Sequence, residues 1–477
     1  MLVLFLLALG LAPLGAQEKS ENLFDEYCLV ENPQERYPIP KEGEAVIGSQ
    51  KAFYSTPYDL RPGNFNLNVP AIQEATDDYM EVESGNGLGR WTYRITPQEK
   101  PTAAKVELRD RKSNFSNQTP WSQVKEVKGA DRGMLVQMEI TEILTPGKAF
   151  MAKINFGGEE LNCRVDIVKE EVKRLPQVHS RLYGPHLQHA FDVWLPEGDG
   201  PFPAVVFIHG GGWGALDKTN QQIVNTANGW NERGIAFVGL NYRYTGGYQD
   251  HPAMKIPVAA CLLDAARGIQ YIRYHAKELK LDTDRLCLTG GSAGGATSAW
   301  LAMVDDLADP DSPDPIARMS TRVACSVPQQ AQTSLDPKQM REWIPQITYG
   351  AHAFFTSSEM PKKGEERFEF FLSKREEIMP YIKDFSAYEQ VSADDPPMLL
   401  VYGGQDDILP AKDTGNATHH PQFGFHLYQK LKELGVECYF WAGTQYGKPG
   451  YVKAEKERYH GWPGVANFVV DQFGMAE

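Results

Sequence analysis

The pentapeptide Gly290-Gly291-Ser292-Ala293-Gly294 constrains this chain more than any other stretch. It follows the apolar run Leu286-Cys287-Leu288 and leads into an Ala-rich segment, Ala296 to Met303. A strand that must reverse sharply into a helix while presenting one hydroxyl needs small residues on both sides, because side chains there would clash with the strained serine backbone. Read alone, the same five residues also describe an ordinary Gly/Ser loop, so their meaning depends on the rest of the chain.

Residues 179–477 supply the context that such a turn requires. Phe191 to Leu195 reads as a strand, and Ala204 to Ile208 is a continuous apolar run of the kind buried on both faces of a parallel sheet. Strands at Ile235–Leu240, Arg285–Thr289, Arg322–Val327, Met398–Tyr402 and Val436–Trp441 then alternate with helical segments at 218–233, 257–280, 295–304, 423–434 and 463–473. This alternation predicts an α/β fold with a doubly wound, mostly parallel sheet, in which ligands sit at the carboxyl ends of strands. The stretch from about 305 to 397 is long for a connection and reads as an insertion over the site, its amides (Gln329, Gln330, Gln332) and aromatics suited to a polar, sugar-like ligand or an aromatic acyl group. Upstream, residues 17–178 carry β-rich runs at 90–95, 134–140, 149–156 and 161–168 separated by turn residues, which predicts an all-β, sandwich-like module. The charged stretch ending near Pro176 marks the boundary.

Met1 to Ala16 is an apolar run that closes on small residues and turns polar at Gln17, the pattern of a secretory signal peptide, so the expected location is secreted or periplasmic without a membrane anchor. A net charge of -14 offers no electrostatic footprint for nucleic acid. The six cysteines form no C-x-x-C pair and no histidine stands at ligand spacing, so neither metal nor cofactor is expected. Cys28 and Cys163 are the one pair that reads as a candidate disulfide. Asn114, Asn117 and Asn416 head N-x-Ser/Thr triplets.

Directly after the apolar run ending at Ile208 stands His209-Gly210-Gly211-Gly212-Trp213. Three glycines leave backbone N–H groups uncovered, and such donors stabilise the negative charge that develops on a carbonyl oxygen under attack. No Gly-Lys-Ser/Thr follows, and no Rossmann glycine spacing appears, which argues against phosphate or dinucleotide binding.

With these motifs, Asn241-Tyr242-Arg243, Asp264 and Asp394-Asp395-Pro396-Pro397, the chain from about Tyr183 onward resembles the α/β-hydrolase superfamily. Within it the likeness is to the HGGG-bearing carboxylesterase and lipase branch, hormone-sensitive-lipase-like and acetyl-xylan or feruloyl esterase-like. The resemblance implies Ser292 as nucleophile, Gly211, Gly212 and Ala293 as oxyanion donors, and an acid and a histidine following in that order. Gly403-Gly404-Gln405-Asp406-Asp407-Ile408-Leu409-Pro410 then supplies Asp406 as the acid, with Asp407 as runner-up, and Arg458-Tyr459-His460-Gly461-Trp462 supplies His460 as the base. His419, His420 and His426 read as surface or packing residues, while His251 and His352 are placed to line the cleft. The implied activity is ester hydrolysis through an acyl-enzyme on a small-molecule or polysaccharide ester. A serine peptidase of the prolyl-oligopeptidase type and a catalytically inactive binding protein on the same fold are the alternatives.

Overall fold

Two sheets organise the chain in the computed structural model, which describes residues 22–475 except 31, 42–43, 45, 47–56, 60, 70, 100–104, 111–115, 125–131, 157–159, 221, 247–253, 363, 404–407 and 443–456. The expected signal segment, Asn114, His251, Asp406 and Asp407 therefore lie outside the described residues. The first sheet is built from β1 (Gly63–Val69), β2 (Ala71–Ala75), β3 (Met80–Asn86), β4 (Gly89–Pro97), β5 (Lys105–Asp110), β6 (Ser116–Pro120), β7 (Arg132–Thr145), β8 (Ala149–Asn155) and β9 (Glu160–Val172). Its pairings are antiparallel, in the order β2-β3-β4-β9-β8-β7-β5-β6 with β1 on β7. Alternation drives it: Met80 and Val82 of β3 and Phe150, Ala152 and Ile154 of β8 turn inward while their neighbours stay partly exposed. In place of two separate layers there is one hydrogen-bonded path, curled so that β1 also lies against β3.

The second sheet is mixed. Its strands are β10 (Val178–Leu182), β11 (Ala190–Trp194), β12 (Phe202–Ile208), β13 (Ala236–Leu240), β14 (Leu281–Gly291), β15 (Cys325–Gln329), β16 (Met398–Tyr402) and β17 (Cys438–Ala442). They are ordered β10-β11-β13-β12-β14-β15-β16-β17, antiparallel at β10-β11 and β11-β13 and parallel from β13 to β17. Both faces are covered, as the apolar run in β12 requires. Ala204, Val206 and Ile208 join one core with the helices Pro257–Tyr274 and Ala293–Met303. Val205 joins the other, with Ile223, Val224 and Ala227 of the helix Ile223–Asn231 and Phe468 and Val469 of the helix Gly461–Gln472.

That second core also contains Phe65, Val82, Trp91, Val136 and Phe150 of the first sheet, so the two sheets share one apolar interior. The β3–β4 turn strengthens the junction: Gly87 N–H donates to the Thr219 carbonyl at 2.9 Å, and a Cβ at Gly87 would overlap the Asn220 carbonyl oxygen. The division of the sequence at residue 178 is also crossed from the front. The short helices Leu23–Tyr27 and Pro33–Arg36, N-capped by Asn22 and Asn32, send Leu23, Phe24, Tyr27 and Tyr37 into the core of the α/β domain. Helices of four and five residues are too short to leave a period in the sequence, which is why this segment reads as part of the β module.

All six cysteines are buried thiols outside any disulfide. Cys28 packs beside Met254, with Sγ–Sδ at 3.7 Å, whereas Cys163 lies in β9, in the other core, so the expected disulfide does not form. Asn416 is 2% exposed, which takes its triplet out of reach of glycosylation in the folded chain.

Candidate active site

The carboxyl ends of β12, β14 and β15 meet at the turn that carries Ser292, the N-cap of the helix Ala293–Met303. Its backbone has φ 56 and ψ -123, a strained conformation for a residue with a side chain. The flanking glycines follow from how closely β12 approaches. A Cβ at Gly290 or at Gly294 would overlap the carbonyl oxygen of Ile208, and one at Gly295 would stand 2.6 Å from that of Gln329. Ser292 N–H donates to the Gln329 carbonyl at 2.9 Å, pinning the turn to β15.

The glycine-rich loop after β12 lies against this turn. A Cβ at Gly210 would meet the Gly291 carbonyl oxygen at 2.5 Å and Ser292 Cβ at 3.5 Å. Gly211 and Gly212 have φ 86 and 60, conformations that favour glycine. The Tyr242 hydroxyl donates to the carbonyls of His209 (2.7 Å) and Gly210 (3.2 Å) and stacks on His209, while Trp213 Nε1 donates to Thr297 Oγ1 at 3.0 Å. Burial pushes His209 down to about 4, so the ring is a neutral packing element at neutral pH. The N–H groups of Gly211, Gly212 and Ala293 meet no acceptor among the described residues. Unclaimed backbone donors, one of them at a helix N-terminus, are the kind of group that stabilises a developing oxyanion.

The imidazole against the serine is His419. Its Nε2 lies 2.9 Å from Ser292 Oγ and its Nδ1 lies 3.0 Å from the Gly415 carbonyl, which makes Nδ1 the protonated nitrogen and leaves Nε2 to accept. This corrects the reading of His419 as a surface or packing residue. The short helix Thr414–Thr418 carries it, N-capped by Asp413, and Gln332 Nε2 holds the Thr418 carbonyl at 2.7 Å. Burial lowers the pKa of His419 below the ordinary histidine value, partly opposed by the Gly415 carbonyl. His460 is the N-cap of the helix Gly461–Gln472 after β17 and is not the residue hydrogen-bonded to Ser292. His420 is buried and His426 stacks on Trp343 at 4.3 Å, both as packing groups.

The amides singled out in the insertion are engaged within the fold: Gln329 Nε2 donates to Thr289 Oγ1, Gln330 Nε2 to the Gly403 carbonyl, and Gln332 Nε2 to the Thr418 carbonyl, so they brace strand ends. Phe354 and Phe355 pair with Phe371 and Phe370 inside the insertion. What reaches the glycine loop is Tyr349 and His352, and burial pushes the latter down to about 4.

Below the loop, Asp264 accepts from Tyr37 (2.8 Å) and from Arg243 (2.6 and 2.8 Å), with His189 Nε2 at 3.0 Å. Burial alone would raise Asp264, but Arg243 and His189 hold it well below the usual carboxylate range. Tyr37 comes from the N-terminal segment, a contact with no signal in the sequence. Among the described residues no cluster of His, Cys, Asp or Glu has the makings of a metal site, and no helix is long and apolar enough to cross a membrane.

An eight-stranded mixed sheet, a strained serine at the β14–helix turn and a glycine loop of unclaimed N–H groups are features of the α/β-hydrolase fold, and this region of the chain is similar to its carboxylesterase branch. Residues 191–419 match the BD-FAE family model. Over 230 residues the chain is 26% identical to a probable carboxylic ester hydrolase of Mycobacterium tuberculosis, a match covering 46% of each protein. It is 28% identical over 145 residues to a probable isoprenylcysteine alpha-carbonyl methylesterase of Arabidopsis thaliana, covering 30% of this chain and 28% of that one. The chain thus spans less than half the length of these curated relatives. Among solved structures, esterase 2 of Thermogutta terrifontis phosphonylated by cyclosarin is similar at 21% identity and a TM-score of 0.43, covering 64% of this chain and 97% of that one.

Proposed function

We propose that this protein is a serine carboxylesterase that cleaves esters through an acyl-enzyme on Ser292. The observation that carries the reading is the 2.9 Å contact between Ser292 Oγ and His419 Nε2, set beside three unclaimed N–H groups. Ser292 Oγ adds to the ester carbonyl carbon as its proton passes to Nε2, and the oxyanion is received by Gly211, Gly212 and Ala293. Collapse expels the alcohol, which takes the proton back from His419. Water then repeats the sequence on the acyl-enzyme and frees the acid. The Gly415 carbonyl fixes the tautomer in the place where the family order puts a carboxylate.

A second reading keeps that order, with Asp406 as acid and His460 as base. It is favoured by the position of His460 in the connection between β17 and the last helix, with Nε2 withdrawn from solvent. Export and an acylated polysaccharide as substrate extend the proposal, on the strength of the apolar segment at residues 1–16 and of the β module.

Labelling by a fluorophosphonate probe tests the nucleophile, with Ser292→Ala as control. Retained labelling or retained hydrolysis of p-nitrophenyl acetate in that variant would sink the assignment, and a wild type that does not label is an inactive hydrolase fold. Acetylated xylan, feruloylated sugars, short p-nitrophenyl esters and a proline-containing peptide amide rank the substrates. Preference for the amide selects the peptidase. Cell fractionation of the full chain decides export.

A further inference from the structure

Two side chains of the insertion face the oxyanion loop and are used by nothing described so far. Tyr349 and His352 flank Gly350, which has φ 121 and whose missing Cβ leaves room for the Phe371 ring, 2.8 Å from where that atom would stand. Ile347, Ala351, Ala353 and Phe354 beside the pair are buried, and the turn Ala351–Ala353 lies against the helix Pro257–Tyr274. The rings of Tyr349 and His352 meet edge to face at 4.7 Å, and His352 lies 6.0 Å from the Trp213 ring. A Cβ at Gly212 would stand 3.4 Å from the Tyr349 hydroxyl and 3.7 Å from His352 Nε2.

Both polar atoms are closed off from solvent, and neither has a hydrogen-bond partner of standard geometry among the described residues. Unsatisfied buried polar groups cost about 1–3 kcal/mol each, so two of them converging on one glycine call for a compensating role. The ring abuts the Gly212 backbone, which favours its protonated form, the sign expected of a carbonyl dipole turned toward the imidazole. A neutral imidazole has one N–H to give. Spent on that carbonyl, it fixes the peptide plane between Gly212 and Trp213, and with it the direction in which the loop turns its own N–H groups.

We propose that His352, steadied by Tyr349, is a positioning residue that holds the Gly212 peptide so that Gly211 and Gly212 present their N–H groups to the substrate carbonyl. The inference rests on the ester-cleaving reading of Ser292 and deepens it: the insertion is then a working part of the oxyanion site. His352 touches no reacting atom. Its effect is felt where charge develops and not where substrate docks.

The test compares His352→Leu, His352→Gln and Tyr349→Phe in the full-length protein, with p-nitrophenyl acetate as substrate and a trifluoromethyl ketone, which forms a tetrahedral oxyanion adduct on the serine, as inhibitor. Loss of one oxyanion donor costs roughly 10²–10³ in kcat, so a misdirected loop in His352→Leu should lower kcat by about 10- to 100-fold. KM should stay within about twofold, and the ketone should lose affinity by the same factor as kcat/KM. His352→Gln, which keeps a donor, should recover most of both. Unchanged kcat and ketone affinity overturn the proposal, as does a change confined to KM, which would make the pair a substrate contact. Should His352→Leu not fold, His352→Gln and Tyr349→Phe carry the same comparison. Should the wild type cleave no ester, the ester reading fails by itself. Positioning is then read from amide hydrogen exchange over residues 211–213, which must quicken in His352→Leu and not in His352→Gln; equal rates overturn it.

Discussion

Replacing His419 by alanine removes the imidazole that stands 2.9 Å from Ser292 Oγ, and the size of the loss can be worked out beforehand. General-base transfer contributes about 10²–10⁴ in rate, or roughly 3–5.5 kcal/mol of barrier. The lower half of that range is expected here, because the Gly415 carbonyl that orients Nδ1 is a neutral dipole and stabilises the imidazolium less than a carboxylate does. The assay is kcat/KM on p-nitrophenyl acetate for wild type, His419→Ala, His460→Ala and the double variant between pH 5 and 9. For wild type, the acid limb should fall at a pH below about 6.5, the unperturbed histidine value. The sign follows from burial, which disfavours the charged ring, so a lower pH is needed to protonate it and switch the base off. If His419→Ala stays within about threefold of wild type while His460→Ala is inert, His419 is not the base and the family order holds.

Other perturbations test the frame around the site. Asp264→Asn breaks the buried contacts to Arg243, His189 and Tyr37 and should cost about 3–5 kcal/mol in denaturant unfolding. Because the native pKa of Asp264 is depressed, its contribution is present above the unfolded value near 4 and should be lost as pH falls below it, which unfolding at pH 3 and pH 7 compares. Gly87→Ala should cost about 1–3 kcal/mol, since its Cβ meets the Asn220 backbone. The shared core requires that it lower one common melting transition; two separate transitions would show that the β module folds alone. Ser292→Gly should be about 1 kcal/mol more stable than Ser292→Ala, because φ 56 at this turn strains any residue with a Cβ, and equal melting temperatures would deny that strain.

The two sheets were legible because their signals are local. The apolar run 204–208, bounded by turn residues, reads as a strand buried on both faces, and alternation over 150–155 puts one face inside. The join between the sheets was not legible, since nothing in Gly87 or Thr219 taken separately says that one donates to the other. The same holds for Tyr37, whose hydroxyl finds Asp264 across 227 residues of chain. Asx-capped helices of four or five residues carry too few side chains to show a face, and their docking is decided by the core they meet. Nor could Gln329, Gln330 and Gln332 be told from ligand-binding amides, because an amide that braces a strand end and one that binds a sugar have the same composition.

Ser292 and the histidine beside it, His419, mark the two sides of this boundary. The serine is readable because its demand falls on residues two places away: Gly290 and Gly294 must lack a Cβ for the turn to pass the Ile208 carbonyl, and the pentapeptide records that demand. The histidine meets no such demand from its neighbours. His419 reaches Ser292 through Asp413 capping one turn of helix, Gln332 holding the Thr418 carbonyl and Thr333 holding that of Phe423, contacts spread over three segments of chain. Each is an ordinary hydrogen bond that many sequences could make, so no local pattern announces the arrival of an imidazole. Position within the fold is then the remaining guide, and it points to His460, whereas geometry points to His419. The Gln332→Leu variant separates the two without touching either ring. It releases the Thr418 carbonyl and should let His419 drift, lowering kcat roughly tenfold if His419 is the base and leaving kcat unchanged if His460 is.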